Sequence, residues 1–245
     1  MAQQFYVSPE QMMKDRADFA RKGIARGRSV VVLSYRDGIA LVAENPSPTL
    51  HKLGEIYDSI GFAAVGKYNE FESLRQAGVR YADVRGYSYD RADVSARGLA
   101  SVYAQSLGTV FTAEQKPFEV ELAVAEVGAT QPEDHIFRLT FDGSIADESG
   151  FLGMGGKAET VQQALADAWV PGAGLGQALA WAVAALAAPR ADSAGAGDVP
   201  VPLSPEALEV AVLERNVHEV RGTHRAFRRL SAADVREFLA TNGRG

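Results

Sequence analysis

Residues 30–43 read VVVLSYRDGIALVA, and this stretch decides the fold class. It contains two apolar runs, 30–35 and 39–43, which flank the dipeptide Asp37-Gly38. An Asp-Gly pair between two such runs is a strong signal for a β-hairpin. The stretch therefore predicts two antiparallel strands close to the beginning of the sequence.

A helix is predicted directly before this hairpin. Ser8 can cap its first turn, Pro9 suits the first helical position, and Gln11 can complete a capping box. One apolar stripe at helical spacing is formed by Met13, Ala17, Ala20 and Ile24. Residues 1–7 lie outside this helix as a short N-terminal tail.

The same periodicities predict further strands and helices along the chain. A second hairpin is expected at 136–145, where Asp142-Gly143 would form the turn. The other predicted strands are 55–58, 62–65, 79–83, 120–127, 151–154 and 208–213. The other predicted helices are a short one at 69–76, a long one through 99–110, two through 161–168 and 179–186, and a last one capped near Ser231.

The order of these elements indicates the fold class. Strand hairpins come in pairs, helices come in pairs, and strands then return, whereas a parallel doubly wound sheet alternates strand and helix. We therefore expect an α+β fold in which antiparallel sheets are covered by helices. The segment 189–205 is rich in Pro, Gly, Ala and Asp and is predicted to be a loop. About forty residues follow it, too few for a separate core, so 8–245 is predicted to be one domain.

Composition narrows the class of function. The net charge is −6, and no dense Lys/Arg block offsets it, so binding to nucleic acid or anionic lipid is not expected. The chain has no cysteine, which excludes disulfides and thiolate metal sites. Metal-ligand spacing is absent from its four histidines, His51, His135, His218 and His224. We expect neither a metal nor a cofactor.

The sequence also bears on the cellular location. The first residues contain no basic leader and no long apolar stretch. The longest apolar run, 178–188, is shorter than the roughly 20 residues that cross a bilayer. These features predict a soluble cytoplasmic protein that does not insert into a membrane.

A glycine-rich turn at 153–158, Gly-Met-Gly-Gly-Lys-Ala, raises the question of a nucleotide site. A dinucleotide site needs this pattern after the first strand of a βαβ unit, but here the following helix leads through Pro171-Gly172 into another helix. A Walker loop also fails, since Ala158 follows the lysine and Phe151 stands at the first glycine position. We interpret the turn as tight backbone packing, with a nucleotide-dependent enzyme as the alternative. No Gly-x-Ser-x-Gly elbow is present, so residue chemistry alone predicts no catalytic residue.

Several short motifs follow one another in a specific order. They are Asp18-Phe19-Ala20-Arg21, Lys22-Gly23, Gly27, Tyr35, Asp37-Gly38, His51-Lys52-Leu53, Phe62-Ala63-Ala64-Val65-Gly66, Lys116-Pro117-Phe118, Phe141-Asp142-Gly143-Ser144 and Gly153-Met154-Gly155-Gly156. Their order and spacing over residues 5–240 resemble the α-type subunits of the proteasome. The amino-acid sequence at 22–26 and 65–71 is similar to that of the actinobacterial branch of the family.

This resemblance implies a fold and a set of partners. The fold is the four-layer sandwich of N-terminal-nucleophile hydrolases, two antiparallel β-sheets between helix layers, with an extra N-terminal helix. The implied assembly has rings of seven, in which two α rings enclose two rings of β subunits. The implied partners are β subunits, neighbouring α subunits, and a ring ATPase activator that docks through its C-terminal tails and delivers tagged proteins.

The resemblance also bears on catalysis. In β subunits the mature chain begins with a threonine at the head of the first strand, and its free amine activates its own hydroxyl. Here the head of that strand is near Arg28-Ser29. An arginine supplies no hydroxyl, and Ser29 would need cleavage of the chain before it. We expect an inert subunit, with an active N-terminal-nucleophile hydrolase, a divergent β-type chain, as the alternative.

Two groups of residues receive roles from the resemblance. Lys52, Gly27 and Gly66 would line the pocket in which the activator's terminal carboxylate docks, although a solvated loop lysine is the alternative for Lys52. Lys67 stands where archaeal relatives carry an apolar residue, which would make this pocket more basic.

The second group is the gate, formed by Phe5, Tyr6, Val7, Ser8 and Pro9. Archaeal and eukaryotic α chains carry a Tyr-Asp-Arg cluster before the Ser-Pro turn, and residues 1–7 lack it. We therefore expect the open gate to be held in a different way.

Overall fold

The computed structural model describes residues 8–188, 203–217 and 225–242. Its helices are α1 (Pro9–Ala25), α2 (Tyr68–Ser88), α3 (Ala96–Ala113), α4 (Ala158–Ala168), α5 (Leu175–Ala187) and α6 (Ala232–Asn242). Its strands are β1 (Val30–Tyr35), β2 (Gly38–Glu44), β3 (Leu53–Tyr57), β4 (Ile60–Gly66), β5 (Val120–Glu126), β6 (His135–Leu139), β7 (Ile145–Asp147), β8 (Phe151–Met154), β9 (Leu208–Glu214) and β10 (Phe227–Leu230).

The strands form two five-stranded sheets. The first sheet has the order β10-β9-β2-β1-β8, and the second has the order β3-β4-β5-β6-β7. Each pairing is antiparallel. The predicted first hairpin is confirmed, because Tyr35 pairs with Gly38 across the two-residue turn Arg36-Asp37. Glycine is required at Gly38, since a Cβ there would overlap the carbonyl oxygen of Leu213.

Alternation along β1 shows how the layers form. Val30 and Val32 point into a core between the two sheets, which they share with Val65 of β4. Val31 and Leu33 point the other way, into a core shared with α4, α5 and α6. The second sheet packs its outer face on α2 and α3. The layers are therefore helices, sheet, sheet and helices, which confirms the predicted sandwich.

Helix α1 is the extra element of this sandwich. Its side chains Ala20 and Ile24 are buried in the core between the sheets. The Ser8 hydroxyl accepts a hydrogen bond from the backbone N–H of Gln11 at 3.2 Å, as the predicted cap requires. The Gln11 side chain, however, donates to Asp15 at 2.6 Å instead of completing a capping box.

In the middle of the chain, one predicted strand is wrong and one predicted helix is too short. The predicted strand at 79–83 and the predicted short helix at 69–76 both belong to α2, which has 21 residues. Buried residues at helical spacing, among them Phe71, Leu74 and Ala82, fix this helix against the second sheet. Tertiary burial therefore overrides the local strand preference of Val79.

One strand of the first sheet, β10, was not predicted. β10 is short and carries two exposed arginines between buried Phe227 and Leu230, so its apolar pattern is weak. Most of the predicted loop at 189–205 lies outside the described residues, which resume at Leu203.

A buried ion pair joins the two sheets at the hairpin end of β1. Arg215 follows β9, and its guanidinium donates to both carboxylate oxygens of Asp134, at 2.7 and 2.9 Å. Their side chains are 7% and 3% exposed. Asp134 precedes β6 of the other sheet and also accepts from the Ser34 hydroxyl at 2.6 Å and from the Gly128 N–H at 3.0 Å. The carboxylate therefore has donors from both sheets.

We predict that Asp134→Ala strongly destabilises the fold. The substitution leaves the Arg215 guanidinium buried without its carboxylate, which typically costs about 3–5 kcal/mol. Urea unfolding of the isolated chain measures the change. The control is Glu206→Ala, which removes an ion pair with Arg236 in which both side chains are 59% exposed. A similar shift of the urea midpoint in both variants would contradict the bridging role of Asp134.

Candidate functional site

The head of β1 is the centre of the candidate site. Three successive residues connect α1 to β1 there, Gly27, Arg28 and Ser29, and we call them the strand-head junction. The Gly27 carbonyl accepts from the Gly156 N–H at 3.3 Å, and the Arg28 carbonyl accepts from the Lys52 ammonium at 2.6 Å. The Ser29 hydroxyl accepts from the N–H of Lys157 at 3.3 Å. Each junction residue is thus bound by a residue from elsewhere in the chain.

The junction contains no exposed nucleophile. The Ser29 residue is 3% exposed, and its carbonyl accepts from the N–H of Glu44 at 3.2 Å. The Arg28 guanidinium pairs with the Glu44 carboxylate at 3.1 Å. The nitrogen of Ser29 is part of the peptide bond to Arg28, so a free amine at this position would require cleavage of that bond.

Lys52 lies against this junction with a half-buried side chain. Burial lowers the pKa of its ammonium to about 8, because a charge is costly to remove from water. Glu44 and Glu209 oppose that effect, and the Arg28 charge adds to it. In the described part of the chain, one acceptor, the Arg28 carbonyl, binds the ammonium, which has three N–H groups.

The two predicted pocket glycines lie side by side next to Lys52. A Cβ on Gly27 would be 2.6 Å from a methyl of Val65 and 3.3 Å from the nitrogen of Gly66. Gly66 itself has a φ of 113°, and a Cβ there would overlap the Glu119 carbonyl oxygen. Both glycines therefore have an internal packing reason, apart from any role in admitting a partner.

Lys67 adds less charge to this region than the sequence suggests. Its ammonium lies 3.8 Å from the Glu70 carboxylate. Glu70 also binds the Lys116 ammonium at 2.6 Å, and Lys116 in turn lies 2.9 Å from Glu119. The two lysines are therefore balanced by two carboxylates.

The glycine-rich turn packs under the junction and binds protein groups in place of a phosphate. A Cβ on Gly153 would be 2.7 Å from a methyl of Val161, which shows the expected tight packing. The Gly153 N–H donates to Gln162 at 2.8 Å, and the Gly155 N–H to Glu121 at 3.2 Å. The Lys157 ammonium donates to the carbonyl of Ala188 at 3.0 Å, at the end of α5.

Sequence reasoning missed the buried carboxylate beneath this turn. Glu121 is 4% exposed and accepts from Arg138 at 2.7 Å. Burial raises the pKa of its carboxyl, and the Arg138 charge opposes that rise. It borders a cavity of 540 Å³ between α1 and the start of α4. In the sequence, the signal for this buried carboxylate was a glutamate within the predicted apolar strand 120–127.

The structure places only part of the predicted gate. Ser8 and Pro9 lie at the start of α1, where Ser8 is the N-cap and Pro9 the first helical residue. Phe5, Tyr6 and Val7 lie outside the described residues.

Over 8–188, 203–217 and 225–242, no group of three or more His, Asp or Glu side chains could hold a metal ion. Within the same ranges, no helix combines the length and the apolar character needed to cross a bilayer.

The fold and the junction together define a class of protein. Two antiparallel sheets between helix layers form the sandwich of N-terminal-nucleophile hydrolases, in which the head of the first strand is the catalytic position. Here that position holds an internal peptide that follows a helix.

Comparison with known proteins identifies the family. The model of the proteasome subunit family matches residues 24–200. The proteasome subunit alpha of Renibacterium salmoninarum is 69% identical over 246 residues, which cover 100% of this chain and 98% of that protein. The proteasome subunit alpha of Pseudarthrobacter chlorophenolicus is 71% identical, with 98% and 100% covered, and that of Kineococcus radiotolerans is 59% identical, with 99% and 100% covered. The chain belongs to the proteasome subunit family.

We predict that Gly66→Ala destabilises the chain by about 1–3 kcal/mol or more. An alanine with positive φ is strained, and its Cβ would also meet the backbone of Glu119. Thermal unfolding measures the effect. The control is Gly108→Ala in α3, where a Cβ would be 3.5 Å from its nearest neighbour, the Asp142 carbonyl. Helix propensity predicts that this control gains about 0.5–1 kcal/mol. Equal melting temperatures for wild type and Gly66→Ala would show that the site tolerates a side chain.

Proposed function

We propose that this chain is a non-catalytic α subunit of the proteasome core particle. It forms the outer rings, controls substrate entry, and docks a ring ATPase that delivers tagged proteins for ATP-dependent degradation in the cytoplasm. The observation that carries this proposal is the strand-head junction, where an arginine and a peptide nitrogen occupy the place of a free N-terminal nucleophile. The names of the relatives, proteasome subunit alpha, support the same assignment.

The alternative, an active hydrolase that starts at Ser29, is opposed by packing. Cleavage before Ser29 would remove α1, whose residues Ala20 and Ile24 are buried in the core between the sheets. It would also separate the Arg28 carbonyl, which binds Lys52, from β1. Burial contributes about 1.5–3 kcal/mol for an isoleucine such as Ile24 and about 0.8 kcal/mol for a group the size of the Ala20 methyl, so the loss would destabilise the particle.

We therefore predict that the purified chain hydrolyses no fluorogenic peptide and is not labelled by a covalent inhibitor directed at N-terminal threonine. Intact mass spectrometry of the same sample should show a chain that retains its N-terminal segment. The β partner, treated in parallel, is the positive control for labelling. Stoichiometric labelling of this chain, or a mature chain that begins at Ser29, would favour the active hydrolase instead.

The proposed partners are β subunits and two neighbouring α subunits in a ring of seven. Support comes from the end of α2, where three large apolar side chains are exposed: Val84 at 66%, Tyr87 at 93% and Tyr89 at 75%. Apolar side chains that cluster on a surface in this way are typical of contact with another protein.

The proposed role of Lys52 is to bind the terminal carboxylate of an activator tail. The geometry supports it, since the Arg28 carbonyl takes one N–H of the ammonium and directs the side chain along the junction. A charge-assisted bond to a carboxylate is stronger than a neutral one. An incoming carboxylate also stabilises the charged form, so the ammonium with a pKa of about 8 becomes harder to deprotonate on binding.

We predict that Lys52→Ala leaves ring assembly intact but abolishes stimulation by the activator. The loss of a charged hydrogen bond, about 1.5–3 kcal/mol per pocket, is multiplied because one activator ring engages several pockets. In the wild type, stimulation should be strongest below pH 8 and fall as the pH rises above it, because the neutral amine cannot pair with a carboxylate. Gel filtration measures ring assembly, and ATP-dependent proteolysis measures the stimulation at each pH. The control is Lys22→Ala, which removes an exposed lysine of α1; unchanged stimulation in Lys52→Ala would make Lys52 a solvated lysine.

The proposed gate consists of Phe5, Tyr6 and Val7, with Ser8 and Pro9 setting the direction in which the tail leaves α1. In a ring, the tails would converge at the axis and bury these side chains against one another. Each buried aromatic contributes about 1.5–3 kcal/mol, and ordering opposes this by about 1–2 kcal/mol per residue. The two terms nearly cancel, so such a plug would open easily.

We predict that deletion of residues 2–7 increases hydrolysis by the assembled particle without any activator. The increase should be larger for an unfolded protein such as casein than for a short peptide, since a larger chain needs a wider opening. Ring stability should not change, because the Ser8 cap and α1 remain. The comparison uses truncated and full-length particles with the same β subunits. Equal casein hydrolysis by both particles would show that the tail does not gate entry.

A further inference from the structure

A buried carboxylate, that of Glu209, binds the backbone of Lys52. Glu209 lies on β9 of the first sheet, with a side chain 9% exposed. It accepts from the N–H of Lys52 at 2.8 Å and from the N–H of Leu53 at 3.3 Å. Lys52 directly precedes β3 of the second sheet, so this contact joins the two sheets.

The Glu209 carboxylate is itself fixed by side chains from several segments. Arg229 of β10 donates to it at 2.6 Å and also donates to the Leu53 carbonyl at 2.7 Å. Asn45, which follows β2, donates to it at 2.8 Å. His51 lies 3.2 Å from it. A buried carboxylate with this many donors is held in one orientation.

Lys52 is consequently fixed at both ends of its backbone. Its N–H is bound by Glu209, and its carbonyl accepts from the N–H of Ala64 in β4 at 3.0 Å. These two bonds determine where the side chain begins, and the Arg28 carbonyl determines where it ends. A lysine has four rotatable side-chain bonds, so an unanchored one would lose more rotamer entropy on binding a carboxylate.

We propose that Glu209 is a positioning residue for Lys52: its carboxylate holds the Lys52 peptide so that the ammonium is presented at the strand-head junction, ready for a partner's carboxylate. This inference rests on the proposed docking role of Lys52. It gives Glu209, from the C-terminal part of the chain, a role in docking without any contact to the partner.

The same carboxylate contributes to the charge around the ammonium. Three charged groups face Lys52: Arg28 from the junction, Glu44 from β2 and Glu209 from β9. The two glutamates raise the pKa of Lys52, and Arg28 lowers it together with burial. A neutral residue at 209 would therefore move the pKa of Lys52 below about 8 and narrow the pH range in which the ammonium is charged.

The test compares Glu209→Gln with a matched control, Glu214→Gln. Glu214 also lies on β9 and pairs with an arginine of β10, Arg228, with both side chains substantially exposed, at 38% and 46%. Two readouts are needed. One is the pKa of Lys52, followed by the ¹³Cε resonance in the lysine-labelled full chain. The other is the affinity of the assembled particle for a synthetic peptide copying the last ten residues of the ring ATPase, with the amidated peptide as a blank.

We expect Glu209→Gln to lower the pKa of Lys52 and to weaken binding of the free-carboxylate peptide by about tenfold, which corresponds to about 1.4 kcal/mol. The pH at which binding is half lost should fall in parallel. Glu214→Gln should change neither readout. An unchanged pKa and unchanged affinity in Glu209→Gln would overturn the proposal.

A second variant covers the case in which Glu209→Gln does not fold. Glu209→Asp keeps the charge but is too short to reach both N–H groups, so we expect weaker peptide binding with the pKa of Lys52 nearly unchanged. Wild-type affinity in Glu209→Asp would contradict positioning. Lys52→Ala separates the docking role of Lys52 from the positioning role of Glu209. Normal peptide binding by Lys52→Ala would refute the docking role. Loss of binding in Lys52→Ala, together with normal binding in the Glu209 variants, would refute only the positioning role.

Discussion

The strand-head junction is the constraint on which the rest of the structure depends. Gly27, Arg28 and Ser29 are bound in turn by the turn before α4, by Lys52 and by Lys157. This places the end of α1 against Val65 and Gly66, where only a glycine fits. The junction thus joins both sheets and two helices at one end of the sandwich. The nitrogen at the head of β1 is part of this continuous chain, so a free amine there would require cleavage before Ser29.

The same junction also bears on the docking role proposed for Lys52. A carbonyl that belongs to the blocked strand head holds the Lys52 ammonium, and burial there makes the charge easy to lose. Glu44 and Glu209 partly offset the effect of burial on the pKa of Lys52, and Glu209 also binds the Lys52 N–H. Within 8–188, 203–217 and 225–242, one carbonyl binds this half-buried ammonium, which leaves N–H groups that could donate to an incoming carboxylate. In the proposed docking role, the position of Lys52 would depend on these backbone contacts more than on an exposed basic patch.

Local sequence patterns predicted the elements with strong local signals and failed where distant contacts decide. The first hairpin, the Ser8 cap and the glycine-rich turn at 153–158 lie where expected, although the hairpin turn is Arg36-Asp37 and Gly38 already belongs to β2. The strand predicted at 79–83 belongs to α2, because burial of Leu74 and Ala82 against the sheet outweighs local preference. Glu209 and Lys52 are 157 residues apart in sequence. No periodicity connects them, and the available hint was a glutamate inside an otherwise apolar strand. The roles of Lys52, Gly27 and Gly66 came from resemblance and stay predictions.

Electron microscopy of the particle formed with the β partner tests the central claim most directly, at a resolution that traces the backbone through the strand-head junction. We expect this chain to form the two outer rings, with continuous density from α1 through Arg28 into β1. We also expect Lys52 to lie at the boundary between neighbouring copies. A chain located in the inner rings, with density that begins at Ser29, would contradict this claim.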